Sequence, residues 1–509
     1  MSLCGLLRTG LDTNPDEFAL IFTDTRATWR TLDDLSDRLA VSLLGLGLSP
    51  GDRVASLMPN RPALIVHYLA CFKAGLVATP LNYRYMAPEI DHALAVSEAR
   101  ALLAHVDREE DLAASQLVRR LPLGTISYGS KQGAGSMFDE MVEANASCSP
   151  PPPPSPAAPA VIFFTSGSTG RPKGVTHTHE TLGWMFATVA AALAFSSADV
   201  LVAGGSLSHA GGVWSSFGAL SVGARVIVAQ TFGPDELLPL LREHRPTVLG
   251  MITPTLFGLI RDPGARRDDF ASLRLGEAGG DTVPAEVQRE FTALTGFAMQ
   301  ESYGMTETGP LTVSPASGRI KGGSVGQVAP GVSLSIRNDD DEELPVGRKG
   351  TLWIKTPAAT VGYWDDPGAT EAVFRDGWLN SGDVMRVDDE GYFFFGGRRK
   401  QIIVHDGSNI SPQEVESALL EHPSVALAGV IGIRDHVHGE NVRAYITCTE
   451  GTERPASQEL IQFARARVGY KAPEEIVVLD KMPLTTSGKV NRKHLKRMAE
   501  ANLASGANR

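Results

Sequence analysis

The chain has 509 residues, of which 43% are hydrophobic and 21% charged, and its formal net charge is −11. That length exceeds one ordinary core and implies two or three domains, while the balance is that of a soluble globular protein. With a negative net charge and no cluster of five or more basic residues, no nucleic-acid partner is expected.

Four cysteines (Cys4, Cys71, Cys148, Cys448) stand apart without a CxxC pair. This argues against a zinc ribbon or disulfide framework and suits a reducing cytosol. The opening residues, Met1 to Arg8, turn polar too soon for a secretory signal. The most apolar helical stretch, Trp184 to Phe195, falls short of the about 20 residues that span a bilayer. A cytoplasmic protein without a membrane span is expected.

Residues 32–48 carry an amphipathic helical pattern that ends at Gly45-Leu46-Gly47. Asp52 to Met58 reads as a strand, Arg61 to Ala74 as a helix, and Leu76 to Thr79 as a short strand. This alternation predicts parallel sheets with crossover helices. Ser149 to Pro156 is a polyproline tract, read as a stiff exposed spacer. Beyond it an apolar run, Ala160 to Phe164, leads into Thr165-Ser166-Gly167-Ser168-Thr169-Gly170-Arg171-Pro172-Lys173-Gly174, and a helical run follows from Thr181 to Phe195. Strand, glycine loop and helix form an arrangement that cradles phosphate on backbone N–H groups. The loop is not a Walker A sequence, because Pro172 precedes Lys173 and Gly174 follows it.

The helix–strand rhythm recurs in Arg225 to Val228 (strand), Pro234 to His244 (helix) and Val248 to Ile252 (strand). After about residue 320 short alternating strands dominate: Ser333 to Ile336, Gly350 to Ile354, Gly391 to Phe395. Turns rich in Asp and Gly separate them, which predicts a small β-rich subdomain over about 320–397. Glycines and charge meet at Gly396-Gly397-Arg398-Arg399-Lys400, read as a hinge, and the main domain boundary is placed near 398. A helix from Pro412 to Glu421 and a strand from Val425 to Ile431 follow.

The order of the motifs carries more than any one of them. After the glycine loop come Ser208-His209-Ala210-Gly211-Gly212, Leu275-Gly276-Glu277-Ala278-Gly279-Gly280-Asp281, Tyr303-Gly304-Met305-Thr306-Glu307, Leu379-Asn380-Ser381-Gly382-Asp383, Arg398, and Leu484-Thr485-Thr486-Ser487-Gly488-Lys489-Val490. This series, spread over nearly the whole chain, resembles the signatures of the adenylate-forming enzymes: acyl-CoA synthetases, luciferases and peptide-synthetase adenylation domains.

The resemblance implies an α/β fold. A large N-terminal part (1–397) would hold two helix-flanked mixed sheets and the β-subdomain, and a smaller mobile α+β domain (398–509) would pivot near Lys400. It implies ATP, Mg2+ and coenzyme A as cofactors or co-substrates. Thr165, Ser166, Gly167, Ser168, Thr169, Gly170 and Lys173 would hold phosphate. Gly279, Gly280, Asp281, Tyr303 and Gly304 would lie against adenine, and Thr306 would contact the α-phosphate. Glu307 would hold magnesium, one carboxylate completed by substrate oxygens. Asp383 would bind the ribose, Arg398 ribose and phosphate, and Lys489 the charge that develops between carboxylate and α-phosphate. His209 would stand at the mouth of the acyl pocket, for which Trp184, Trp214 and Met305 are candidates. Arg84 and Gly407 fall where coenzyme A is bound.

The implied reaction has two halves. A carboxylate attacks ATP to give acyl-adenylate and pyrophosphate; the C-terminal domain then rotates and a thiol takes the acyl group. The sequence departs from relatives that use coenzyme A at His405-Asp406-Gly407, where Asp406 replaces a glycine, and at the acidic pair Glu474-Glu475 near the expected phosphates. Three readings stay open: an acyl-CoA synthetase, an acyl-adenylate ligase serving a carrier protein or separate transferase, and an inactive binding homologue. A homodimer is also left open. Two histidine clusters are set aside: Asp435-His436-Val437-His438-Gly439-Glu440 as a loop without metal, and His177 with His179 as capping or surface residues.

Overall fold

The computed structural model describes residues 2–23, 25–129, 135–144, 151–165, 172–279, 283, 285–315, 319–405, 408–435, 439–485 and 488–506. Two mixed sheets dominate the N-terminal part. The first has nine strands in the order Gln327–Val328, Gly309–Val313, Gln300–Met305, Leu275–Gly279, Val248–Ile252, Val200–Gly204, Arg225–Val228, Phe18–Ile21 and Arg26–Thr28. The second has seven: Gly362–Tyr363, Lys173–Thr178, Pro159–Thr165, Val77–Pro80, Arg53–Leu57, Ala101–His105 and Thr125–Tyr128. Their central strands pair in parallel, because each is followed by a helix that returns the chain to the same edge.

Alternation along the strands builds the layers. In the first sheet Leu201, Ala203, Val226 and Val228 join one core with Val54, Ala78, Leu103 and Val161 of the second sheet. Helices Trp29–Gly45, Pro62–Ala74, His179–Ala192 and Ala210–Ser221 fill the space between them through Leu39, Phe72, Phe186 and Phe217. Every second residue points away: Val202, Ile227, Leu249 and Met251 meet Leu241, Leu259 and Phe291, while Ala55, Leu57, Leu102 and Ile162 meet Ile90 and Leu94. A strand buried on both faces reads as a continuous apolar run, and the result is two sheets clasping a helical layer.

The third sheet is antiparallel and joins Ser333–Arg337, Gly350–Lys355, Trp378–Val387, Phe374–Arg375 and Phe393–Arg398. The fourth joins Ser408–Ile410, Ile403–His405, Gly439–Cys448, Val425–Asp435 and Glu475–Val478. One of its faces packs on helices Pro412–Leu420 and Ser457–Val468 through Val415, Leu419 and Leu460, and the other receives Leu495 and Ala499 of helix Arg492–Gly506. Among the described residues no helix is long and apolar enough to cross a membrane.

Two expectations need correction. The helix expected over 32–48 spans Trp29–Gly45, one turn earlier, because the Thr28 hydroxyl caps the Thr31 N–H at 3.1 Å. The glycine loop does not pass from strand to helix. Pro159–Thr165 and Lys173–Thr178 pair antiparallel, with Thr165 opposite Lys173, so the loop joins two strands of a hairpin. Val175, Thr176 and Thr178 favour extended backbone between the loop and the helix, which runs His179–Ala192 close to the expected Thr181 to Phe195.

Candidate active site

Tyr303, Asp383 and Arg398 meet at the edge of the first sheet, where it faces the third sheet. Tyr303 ends up there because Gln300–Met305 is a strand that turns back into Gly309–Val313. A Cβ on Gly304 would lie 2.5 Å from the Gly309 carbonyl oxygen, so only glycine fits that register. The Tyr303 ring lies beside Phe395, with centroids 5.9 Å apart. Its hydroxyl donates to Asp383 Oδ2 at 2.6 Å. Asp383 pairs across the third sheet with Arg398, whose Nε lies 3.0 Å from Asp383 Oδ1. Burial pushes the Asp383 carboxyl up; the Arg398 guanidinium, the Tyr303 hydroxyl and the Lys489 ammonium pull the other way.

Glu307 is buried and accepts a hydrogen bond from the Tyr363 hydroxyl at 3.0 Å. The Lys173 ammonium lies 4.9 Å above the Tyr363 ring. Burial raises the Glu307 carboxyl, opposed by hydrogen bonds and by Arg398. An anionic oxygen in a buried place, bonded to a neutral hydroxyl, suits a hard divalent cation, which would favour its ionised form. Among the described residues there is no group of three or more His, Cys, Asp or Glu for a metal site made by protein alone. Magnesium at Glu307 would therefore draw its other oxygens from substrate and water.

His177 and His179 are not surface residues. Both are buried; the cap of helix His179–Ala192 is Thr178. His177 contacts the Thr306 carbonyl through Nε2 at 2.8 Å and so fixes the Tyr-Gly-Met-Thr-Glu turn from below. Burial pushes the His177 imidazole down to about 4, keeping it neutral and able to act as a single N–H donor.

His209 precedes helix Ala210–Ser221, and its Nε2 lies 3.1 Å from Asn82 Nδ2. Its imidazole is pushed down to about 4 by burial first, then by the Lys489 and Arg84 cations. Lys489, from the far end of the chain, contributes to lowering both the His209 imidazole and the Asp383 carboxyl. It sits in a hairpin closed by the Leu484–Val490 bridge and by Thr485 N–H to Lys489 carbonyl at 2.6 Å, with Gly488 at φ 81°.

Other positions are less central. A Cβ on Gly279 would lie 2.7 Å from Ser302 Oγ. Trp214 lines a narrow cavity beside the Gln300–Met305 strand, whereas Trp184 is 46% exposed and Met305 packs toward the core of the third sheet. Arg399–Gln401, which carries Lys400, is one 3-10 turn. Ser166, Gly167, Ser168, Thr169, Gly170, Gly280, Asp281, Asp406, Gly407, His436 and His438 lie outside the described residues. The acidic pair is already engaged: Glu474 accepts the Val442 N–H and lies 3.4 Å from His405 Nε2, and Glu475 pairs with Arg443. Sequence reading missed Tyr363, His177 as a support for Thr306, and Glu277, whose carboxyl faces the Trp214 cavity. The one signal for Glu277 was a charge in the middle of a glycine-rich strand.

Comparison with known proteins gives the family. Residues 7–364 match the family described as AMP-binding enzyme, and residues 414–489 match the AMP-binding enzyme C-terminal domain. Feruloyl-CoA synthase of Amycolatopsis is 35% identical over 492 residues, covering 95% of this chain and 96% of that protein. Indoleacetate–CoA ligase of Aromatoleum aromaticum is 32% identical over 498 residues, covering 95% of each. ATP-bound MatB from Rhodopseudomonas palustris superposes with a TM-score of 0.89 at 28% identity, over 98% of this chain and 99% of that one; the apo form scores 0.79. With the family model matching residues 7–364 and relatives above 30% identity covered almost end to end, the chain belongs to the AMP-binding enzyme family.

Proposed function

We propose that the protein is an AMP-forming acid–thiol ligase, which activates a carboxylic acid with ATP and transfers the acyl group to coenzyme A. The acid's carboxylate oxygen attacks the α-phosphorus, the bond to the β-phosphate oxygen breaks, and pyrophosphate leaves. Magnesium at Glu307 would neutralise phosphate charge that otherwise repels the carboxylate. Asp383 and Tyr303 orient the nucleoside, Arg398 meets ribose and phosphate, and the Thr306 turn is held by His177. Lys489 stabilises charge on the pentavalent transition state. His209, neutral by burial, guards the acyl side without adding a cation.

The single observation that supports this reading most is the cluster in which Asp383 accepts from the Tyr303 hydroxyl at 2.6 Å and pairs with Arg398 at 3.0 Å, joining three of the motifs in one place. For the second half-reaction we take the domain boundary at 398 and Lys400 as the pivot. Rotation would withdraw Lys489 and bring the loop around His405 toward the adenylate, with Arg84 on the coenzyme side. The thiolate sulfur then attacks the acyl carbonyl and AMP leaves.

The test is acid-dependent ATP–pyrophosphate exchange over a panel of carboxylic acids, followed by thioester detection with coenzyme A. Exchange plus thioester is the expected result. Exchange without thioester, restored by a carrier protein, would replace coenzyme A as the acceptor. Absence of exchange with every acid would overturn the reading.

A further inference from the structure

Strand Leu275–Gly279 places Leu275 in the core between the sheets and Ala278 in the core on the opposite face, so Glu277 points inward with Leu275. An apolar residue is what that layer calls for. Instead a carboxyl enters it, and the backbone around it is cut down to receive it. A Cβ on Gly250 would lie 3.6 Å from Glu277 Oε2, and one on Gly279 would lie 3.1 Å from Oε1. The Ser302 hydroxyl donates to Glu277 Oε1. Among the described residues no cation is paired with it. A half-buried carboxyl with one neutral partner, open only toward a narrow cavity, carries a desolvation cost, and burial pushes it up to about 7.

The surface that Glu277 keeps lines the cavity whose other walls include Trp214, Val189, Leu193 and Pro310. This cavity adjoins the reaction site on two sides. Ser302 precedes Tyr303, and Trp214 lies in the helix that His209 opens. In its present shape it holds about 10 Å³, room for about one water, so an acyl group enters only if the walls give way. The acid's own carboxylate belongs beside Lys489 and Thr306 and would be repelled by Glu277. The end of the acid remote from its carboxylate is therefore what Glu277 meets.

Resting on the ligase reading, we infer that Glu277 and Ser302 form a specificity pair that selects acids carrying a hydrogen-bond donor, a hydroxyl or an amine, at the end remote from the carboxylate. Such a donor satisfies the second carboxyl oxygen. An unsubstituted acid leaves that oxygen unpaired, and a diacid adds a like charge; both are rejected.

The experiment measures kcat/KM for acid-dependent ATP–pyrophosphate exchange on matched acids with and without the donor. The pairs are hydroxyphenylpropenoate with phenylpropenoate, aminobenzoate with benzoate, and ω-hydroxyalkanoate with alkanoate. Wild type should favour the donor-bearing member of at least one pair by tenfold or more. Glu277→Leu should erase or reverse that ratio, while Glu277→Gln, which keeps shape and hydrogen bonding, should reduce the amine preference more than the hydroxyl preference. If Glu277→Leu does not fold, the Gln variant decides by that same split. Exchange by wild type without a preference in any pair, or a preference unchanged in the folded variants, overturns the inference and leaves the ligase reading intact. Absence of exchange with every acid overturns both.

Discussion

The Tyr303 hydroxyl and Asp383 Oδ2 lie 2.6 Å apart, and through this contact the turn at the edge of the first sheet is tied to the third sheet and to Arg398. Asp383 therefore orients both an aromatic ring and a guanidinium. Replacing it with Ala removes a charged hydrogen-bond acceptor worth roughly 1.5–3 kcal/mol. Asp383→Ala should weaken binding of ATP and AMP alike by about 10- to 150-fold, read by calorimetry. Tyr303→Phe should lose only about fivefold, since one neutral hydroxyl is gone. Unchanged nucleotide affinity in Asp383→Ala would remove it from the site.

Glu307→Gln should raise the magnesium concentration for half-maximal pyrophosphate exchange by about tenfold, because a neutral amide is a poor ligand for a hard cation. Tyr363→Phe, which leaves the carboxylate and removes its 3.0 Å donor, should shift that midpoint far less. A magnesium titration of both variants checks the ranking.

Lys489→Ala should slow exchange by about 10²–10³-fold, with little effect on conversion of pre-formed acyl-adenylate to thioester. Equal slowing of both steps would show that Lys489 does not act in adenylation alone.

Lys400→Pro should behave in the opposite way. Arg399–Gln401 is a 3-10 turn, whose φ near −60° a proline shares, so the conformation seen here tolerates it. Thioester formation should slow because the pivot can no longer change φ. Single-turnover measurement of each half-reaction would reveal equal loss if the pivot lies elsewhere.

Stability should fall as the solution is acidified from pH 6.5 toward 4. His67, His177, His179 and His209 are each pushed down to about 4 by burial, so the unfolded chain binds protons in that window which the folded chain refuses. Each contributes a slope of about 1.4 kcal/mol per pH unit. Glu277 and Glu301, pushed up to about 7 by burial, oppose this, since the folded chain holds their protons where the unfolded chain has released them. His67→Gln should flatten the slope by one proton, measured by urea unfolding at pH 5.0, 5.75 and 6.5; an unchanged slope would mean that His67 titrates normally.

The motifs themselves were legible because their chemistry is local in sequence. Glycines at turns, a hydroxyl–glycine–aspartate triplet and a lysine after Ser-Gly announce contacts that backbone and one side chain make together. The strands Arg225–Val228 and Val248–Ile252 and the helix Pro234–His244 were also readable end to end, since each is an apolar period bounded by Gly, Pro or charge. The hairpin at the glycine loop was not, because its second strand gains its partners only from Pro159–Thr165 and Gly362–Tyr363. Burial of His177 and His179, engagement of Glu474 by Val442 and His405, and the inward aim of Glu277 likewise depend on which elements pack together. Sequence alone determined which motifs the chain carries and in what order. Tertiary structure decided which of their side chains lose water, and hence which tend to be neutral and which charged: desolvation depends on neighbours in space, and no spacing along the chain encodes it.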